Sequence, residues 1–317
     1  MGKNRLLAGF DYIFVLRPML FFPGWSTLMA GFYITSKQRL ILPHDPLNLK
    51  ASVYLLELFA VFALAMGASF LLNQIADVDS DLKNKKLFIV SEGYLSKFQV
   101  GIETLVLLVL SVAGGFLLSF QVGLLVSVFI LLTGYMYNYR PFIMKDHPLP
   151  SLIANGLMGW LAFAIGWVAV QDASWALVYD AFPYFFLNTA LYFYTTLPDA
   201  DGDRRSHKNT FAVILGIEKL LILAFMFYMA SVISAIVLKD WTALLILTLA
   251  APFISATLWK RTIQSAVRAT KFTILFFALI MCLKWPLYFI LMVIGFYSTR
   301  RYFKLRFNFD YPNFRGN

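Results

Sequence analysis

Six of the chain's 17 acidic residues fall in two short runs, Asp77-Val-Asp79-Ser-Asp81 and Asp199-Ala-Asp201-Gly-Asp203, each directly after a long apolar stretch. If a helix continues through the first run, Asn73, Asp77 and Asp81 are spaced i, i+4, i+8 and lie along one face; Asp199 and Asp203 pair by the same rule. Carboxylates gathered at one mouth repel each other, and burial raises the cost, so the pattern calls for a cation. Ligands that are all oxygen indicate Mg2+ or Ca2+, and few ligands with positions left open for phosphate oxygens favour Mg2+. An EF-hand also begins D-x-D-x-D, but it needs Gly at its sixth position and Glu at its twelfth. Here those positions hold Leu82 and Phe88, then Arg204 and Thr210. Cations flank the acids: Lys85 and Lys86 after the first run, Arg204, Arg205 and Lys208 after the second, and Arg140 and Lys145 in a further loop. A carboxylate–metal–phosphate site needs such groups to neutralise phosphate charge and stabilise a leaving group.

The elements that carry these residues are membrane spans. The chain is 60% hydrophobic and 14% charged, with mean hydropathy +0.71, whereas soluble domains carry about 25% charged residues. Stretches of about 20 apolar residues predict spans at 10–34, 52–72, 98–119, 121–138, 150–170, 180–198, 213–238, 241–259 and 272–298. The expected fold is all-α: one polytopic membrane bundle of about nine transmembrane helices over residues 1–317, with pseudo-repeat halves around 10–140 and 150–298. The last stretch contains Lys284 and Pro286 and is expected to kink.

Loop charges orient the bundle. With the N-terminus cytoplasmic, that side holds Lys3, Arg5, Lys83, Lys85, Lys86, Lys97, Arg140, Lys145, Arg204, Arg205, Lys208, Lys219, Lys260, Arg261, Arg268 and Lys271. The opposite loops hold only Lys37, Arg39, Lys50 and Lys239. Both aspartate runs then sit at the cytoplasmic mouth. Nine spans would leave Arg300, Arg301, Lys304, Arg306 and Arg315 outside, against the trend.

Several function classes are excluded. Cys282 is a lone cysteine in an apolar run, so no internal disulfide or cysteine metal site exists. His44, His147 and His207 are scattered and form no HxxxH pair. The formal net charge of +10 is spread over short loops, which fits anionic headgroups rather than nucleic acid. No cleavable signal peptide is expected, because the first apolar run is long, contains Arg17 and Pro18 and lacks a small-residue cleavage site.

The motifs resemble those of the UbiA-type intramembrane prenyltransferases: N-x3-D-x3-D from Asn73 to Asp81, D-x3-D from Asp199 to Asp203, the stretch Tyr135-Met-Tyr-Asn-Tyr-Arg-Pro-Phe-Ile-Met-Lys145, Asn155-Gly156 and Arg17-Pro18. The resemblance implies a bundle around a central cavity and Mg2+-dependent transfer of an isoprenyl group from a polyprenyl diphosphate to a lipophilic acceptor. It implies that Asn73, Asp77, Asp81, Asp199 and Asp203 hold the metal, the four aspartates being catalytic. Asn73, Lys86, Lys145, Lys208, Arg17 and Arg140 are the expected diphosphate contacts. Two departures stand out: Gln74 where the family commonly has Asp, and no Arg-Pro shortly after the first motif.

Ionisation of an allylic diphosphate leaves a carbocation, which aromatic faces stabilise; Tyr139 and Tyr192 are the candidates, with Tyr135, Tyr137 and Tyr194 nearby. A quinone-type aromatic ring is the default acceptor. Two other classes compete. A cation or metal transporter would use the same carboxylates, but its acids usually sit singly at mid-span. A CDP-alcohol phosphotransferase would need the compact motif D-x2-D-G-x2-A-R, which is absent.

Overall fold

In a computed structural model of the chain, the described residues are 5–35, 48–84, 88–205 and 208–312. Ten helices dominate them: α1 (Phe21–Thr35), α2 (Leu49–Asn84), α3 (Lys97–Leu118), α4 (Phe120–Ile130), α5 (Pro148–Val168), α6 (Trp175–Thr196), α7 (Phe211–Val237), α8 (Trp241–Lys260), α9 (Ile263–Lys284) and α10 (Leu287–Phe307). A short helical lead-in, Arg5–Phe10 and Asp11–Phe14, precedes α1. Among the described residues, seven helical segments are long and apolar enough to cross a membrane. Leu105, Leu117, Ile222, Val237 and Ile294 are among the large apolar side chains facing outward, as an integral multi-pass membrane protein requires.

Apolar helices gain little from hydrophobic contact with one another in lipid, so close packing of small residues matters more. The α1–α5 crossing shows this. A Cβ on Gly31 would collide with the Phe163 carbonyl, and one on Gly166 would collide with the Leu28 carbonyl. Glycine at both positions lets the two backbones touch. Helix α5 also packs on α4 and α6, and α9 closes the bundle against α1, α6 and α8.

Two sequence expectations are refined. The predicted 272–298 span is two helices. Pro286 lacks an N–H and cannot continue a helix; α9 stops at Lys284 and α10 reverses direction. The Trp285 indole donates to Ser52 Oγ at 2.9 Å, and the Tyr288 hydroxyl donates to the Phe22 carbonyl at 2.7 Å. At its far end α10 brings Arg306 to within 2.8 Å of Asp11. Arg300, Arg301, Lys304 and Arg306 therefore lie on the N-terminal side, with the other basic loops. The tail's expected departure from the charge trend comes from reading one helix where there are two.

Candidate active site

Helix α2 runs 36 residues without a break, about 54 Å at 1.5 Å per residue, and so carries the first acidic run beyond the apolar layer. Its last turns meet the ends of α4, α5 and α6 around a cavity of about 430 Å³ lined by Arg17, Asn73, Asp77, Lys145, Tyr192, Asp199, Asp203 and Lys208, among others. Both aspartate runs thus reach one chamber. The second run arrives through a break in the helix: α6 ends at Thr196, Leu197–Asp199 form a 3-10 turn around Pro198, and a short helix, Ala200–Arg205, follows.

The wall around Asp77 is a connected polar network. At the end of α4 the backbone widens into a π-helix, Leu131–Met136, a form that often marks functional sites. There the carbonyls of Thr133 and Gly134 accept from Asn138 Nδ2 at 3.0 and 2.9 Å. That pins the orientation of the Asn138 amide, so its oxygen accepts from Asn73 Nδ2 at 2.7 Å. Asn73 Nδ2 also donates to Asp77 Oδ2 at 3.1 Å, which leaves the Asn73 oxygen for another partner. Lys145 Nζ lies 2.6 Å from Asp77 Oδ1 and 3.4 Å from Asn138 Oδ1.

On the facing wall Thr210 donates to Asp203 Oδ2 at 3.3 Å, and Lys208 lies 3.6 Å from Asp146 Oδ1, an ion pair rather than a hydrogen bond. Burial of the Lys208 ammonium pulls its pKa down, but the carboxylates of Asp146, Asp77 and Asp203 outweigh this and the net shift is upward. The associated stability is present below the ordinary lysine value and is lost only as pH rises through the raised one. Lys208 is therefore a permanent cation at neutral pH.

Arg17 enters from the lead-in segment. Pro18 removes a backbone donor and disfavours α geometry before it, and Arg17 sits in the left-handed region at φ 57°, ψ 59°, at a cost of about 1–2 kcal/mol. Its guanidinium lies 6.0 Å from the centre of the Phe70 ring. Gln74, the departure from the family motif, faces away from the chamber and donates to the Val15 carbonyl at 2.9 Å.

The remaining expected residues divide. Asp81 is buried at 9% exposure but does not line the cavity; it stands in the electrostatic field of Arg17. Eight residues along a helix turn through about 80° beyond two full turns, which swings Asp81 from the Asn73 face toward the lead-in. Tyr139 does not line the chamber: its hydroxyl donates to the Leu72 carbonyl at 2.9 Å. Tyr192 and Tyr137 do line it, and the Tyr192 hydroxyl donates to Ser151 Oγ at 2.9 Å. Tyr194 is buried and meets Thr257 instead. Arg140 is exposed and Asp201 is a surface partner of Arg204. Lys86 lies outside the described residues, as does the Asp79 side chain.

Asn138, Thr210 and Asp146 were not singled out from sequence. Asn138 stands inside the Tyr135–Lys145 stretch, a polar residue closing an apolar run, and that was its only signal.

A second chamber of about 160 Å³ shares Asn155, Met158, Tyr192 and Thr195 with the first. Ser26, Thr27, Asn188 and Thr270 give it neutral polar groups; Tyr184, Leu187, Ile274 and Phe277 give it apolar walls. Among the described residues no charged side chain lines it.

Residues 24–281 match the model of the UbiA prenyltransferase family. The fold resembles the apo structure of a UbiA homolog from Aeropyrum pernix K1, with 16% identity, TM-score 0.66, 87% of this chain and 98% of that one. It also resembles a digeranylgeranylglyceryl phosphate synthase, with 17% identity, TM-score 0.63, 90% of this chain and 99% of that one. A UbiA homolog from Archaeoglobus fulgidus bound to DMAPP and Mg2+ matches with 19% identity, TM-score 0.59, 86% of this chain and 99% of that one. No curated protein matches the chain by sequence.

Proposed function

Since this chain belongs to the UbiA prenyltransferase family, we propose that its cavity transfers an isoprenyl group from a polyprenyl diphosphate to an uncharged lipophilic acceptor, most simply a quinone-type aromatic ring. One observation carries the reading. Carboxylates from both acidic runs and the cations Arg17, Lys145 and Lys208 line a single chamber, which shares four wall residues with a second one lined by no charged side chain among the described residues.

The donor set suits Mg2+. Asp77, Asp199, Asp203 and the Asn73 oxygen are all hard oxygen ligands, and among the described residues the lining includes no thiol or imidazole. Among the described residues no three acidic side chains converge on one point. They flank the chamber instead, which leaves coordination positions for substrate oxygens. The relative bound to DMAPP and Mg2+ supports the same pairing of ligands. When bound, Mg2+ neutralises diphosphate charge and makes it a better leaving group.

The chain's own groups do the rest. Lys145, Lys208 and Arg17, from three separate segments of the chain, donate to the diphosphate and hold it as the allylic C–O bond breaks. Tyr192, Tyr137 and Phe129 face the chamber and give the cation aromatic surface while excluding water. Ser26, Thr27, Asn188 and Thr270 suit the oxygens of a neutral ring. A carboxylate- or phosphate-bearing acceptor would find no cationic partner in the second chamber.

The two acidic runs end α2 and a matching break after α6, consistent with related halves in one domain. The basic loops around the mouth support a cytoplasmic opening. The test is Mg2+-dependent diphosphate release from geranyl diphosphate by the full chain in micelles, with and without a hydroquinone acceptor. A cation transporter would release none.

A further inference from the structure

We propose that Asp11, Arg306 and Gln74 are positioning residues: they form a latch, outside the cavity, that holds Arg17 in its left-handed conformation with the guanidinium on the chamber wall. The proposal rests on the prenyl-transfer reading, because Arg17 is taken to bind diphosphate. Strained backbone at a non-glycine residue persists only where its surroundings over-determine it, and such residues cluster at ligand clamps. Arg17 meets that description from both sides.

On one side, the break at Pro18 strips the Val15 carbonyl of its helical donor, and Gln74 Nε2 takes that place at 2.9 Å. Gln74 is buried at 3% exposure, so the bond is shielded from water. On the other side, Arg306 grips Asp11 with two bonds, Nε to Oδ1 at 3.0 Å and Nη2 to Oδ2 at 2.8 Å. The Tyr302 hydroxyl adds a third at 2.6 Å. Tyr302 also stacks on Phe14, with ring centres 3.9 Å apart and planes 11° apart. Arg306 is itself flanked by the rings of Tyr94 and Phe307. The lead-in segment is thus fastened to α2 just before Arg17 and to α10 one helical turn earlier.

Asp11 and Arg306 both lie outside residues 24–281, the part that matches the family model. Helix α10 therefore has a role in this chain beyond adding a crossing: it returns to the mouth and secures the segment that delivers a cation to it. If α10 only added stability, nothing would require its bidentate grip to fall on the turn preceding a strained arginine in the cavity wall.

The experiment measures the dissociation constant of geranyl diphosphate with Mg2+ for the full chain in detergent, alongside KM and kcat. Loss of a charge-assisted contact weakens binding by about tenfold. Arg17→Met, Arg306→Met and Gln74→Leu are each expected to raise the dissociation constant by about that factor. For Arg306→Met and Gln74→Leu the split between KM and kcat is the one that Arg17→Met shows, because all three act through the same contact. The double variant Arg17→Met/Arg306→Met binds no more weakly than Arg17→Met alone, because both act through one contact. Multiplied effects in the double variant, or wild-type affinity in Arg306→Met and Gln74→Leu, overturn the latch. Should Arg306→Met not fold, Gln74→Leu carries the same expectation from the other side, read as Gln74→Leu/Arg17→Met. A wild-type chain that binds no geranyl diphosphate defeats the prenyl-transfer reading and the latch with it; wild-type binding that Arg17→Met leaves intact defeats the latch alone.

Discussion

The ammonium of Lys145 lies 2.6 Å from Asp77 Oδ1, and both line the same chamber. The pair is only partly exposed, at 11% for Lys145 and 22% for Asp77, and Asn138 holds the lysine from behind. A lysine so placed neutralises Asp77, and on the proposed reading it gains a second acceptor when diphosphate binds.

Lys145→Met is therefore expected to lower kcat/KM for the isoprenyl diphosphate by about 10²–10³, the cost of removing one oriented charge from a leaving-group site. The fold should survive, because Asn73 and Asn138 still bond Asp77's helix to the α4 end. Steady-state kinetics beside a thermal melt separates the two effects; unchanged kinetics would remove Lys145 from the site.

Asp77→Asn, Asp199→Asn and Asp203→Asn keep side-chain size but lose charge. Each is expected to raise the Mg2+ concentration needed for half-maximal activity by at least about tenfold, as weakened hard-oxygen ligation predicts. Asp201→Asn, on the exposed surface beside Arg204, should leave it unchanged. A titration of Mg2+ in chelator-treated membranes decides, and equal sensitivity of Asp201 would mean the chamber does not select among the acids.

How far the sequence reached is visible in these residues. The i, i+4 rule put Asn73 and Asp77 on one face, and Asp199 with Asp203 on another, and both pairs line the chamber. The same rule overreached for Asp81, because helical drift accumulates over two turns. Asn138 was illegible because its role depends on π-winding that frees two carbonyls, a tertiary outcome. The reversal at Pro286 was equally hidden: a proline reads as a kink or as a turn, and only the anchors from Trp285 to Ser52 and from Tyr288 to Phe22 choose between them.

Tyr192 offers both a ring and a hydroxyl, and two substitutions part them. Tyr192→Phe loses the bond to Ser151 but keeps the aromatic face; Tyr192→Leu loses both. If the face stabilises a carbocation, worth about 2 kcal/mol in a water-free site, kcat falls roughly thirtyfold for Leu and little for Phe. Equal losses for the two would assign the effect to the hydroxyl.

Gly166→Val tests the α1–α5 contact. A side chain there meets the Leu28 carbonyl, and backbone cannot give way as a flexible side chain can. Overpacking of this kind costs roughly 1–3 kcal/mol, so the melting temperature should drop. Gly101→Val places the same atoms in open space on α3 and should melt close to wild type. Similar melts for both would show that the α1–α5 crossing has room to spread.

The tenth helix makes a topological prediction. Helix α9 ends beside Asp240 and Tyr33, at the end of the bundle away from the cavity mouth, while α10 ends at Asp11 on the mouth side. Its 21 residues cover about 31 Å, the thickness of the hydrocarbon layer, and its four basic residues are confined to the last eight positions, on the mouth side. Its outward residues Phe289, Ile290, Val293 and Ile294 suit lipid. Tags on the two ends of the chain should therefore be modified by an impermeant reagent from the same side of the membrane. Labelling from opposite sides would mean that α10 does not cross, and that the ion pair between Asp11 and Arg306 does not form in the membrane. The charge trend favours the first result, since Arg300, Arg301 and Lys304 then join the basic loops at the mouth.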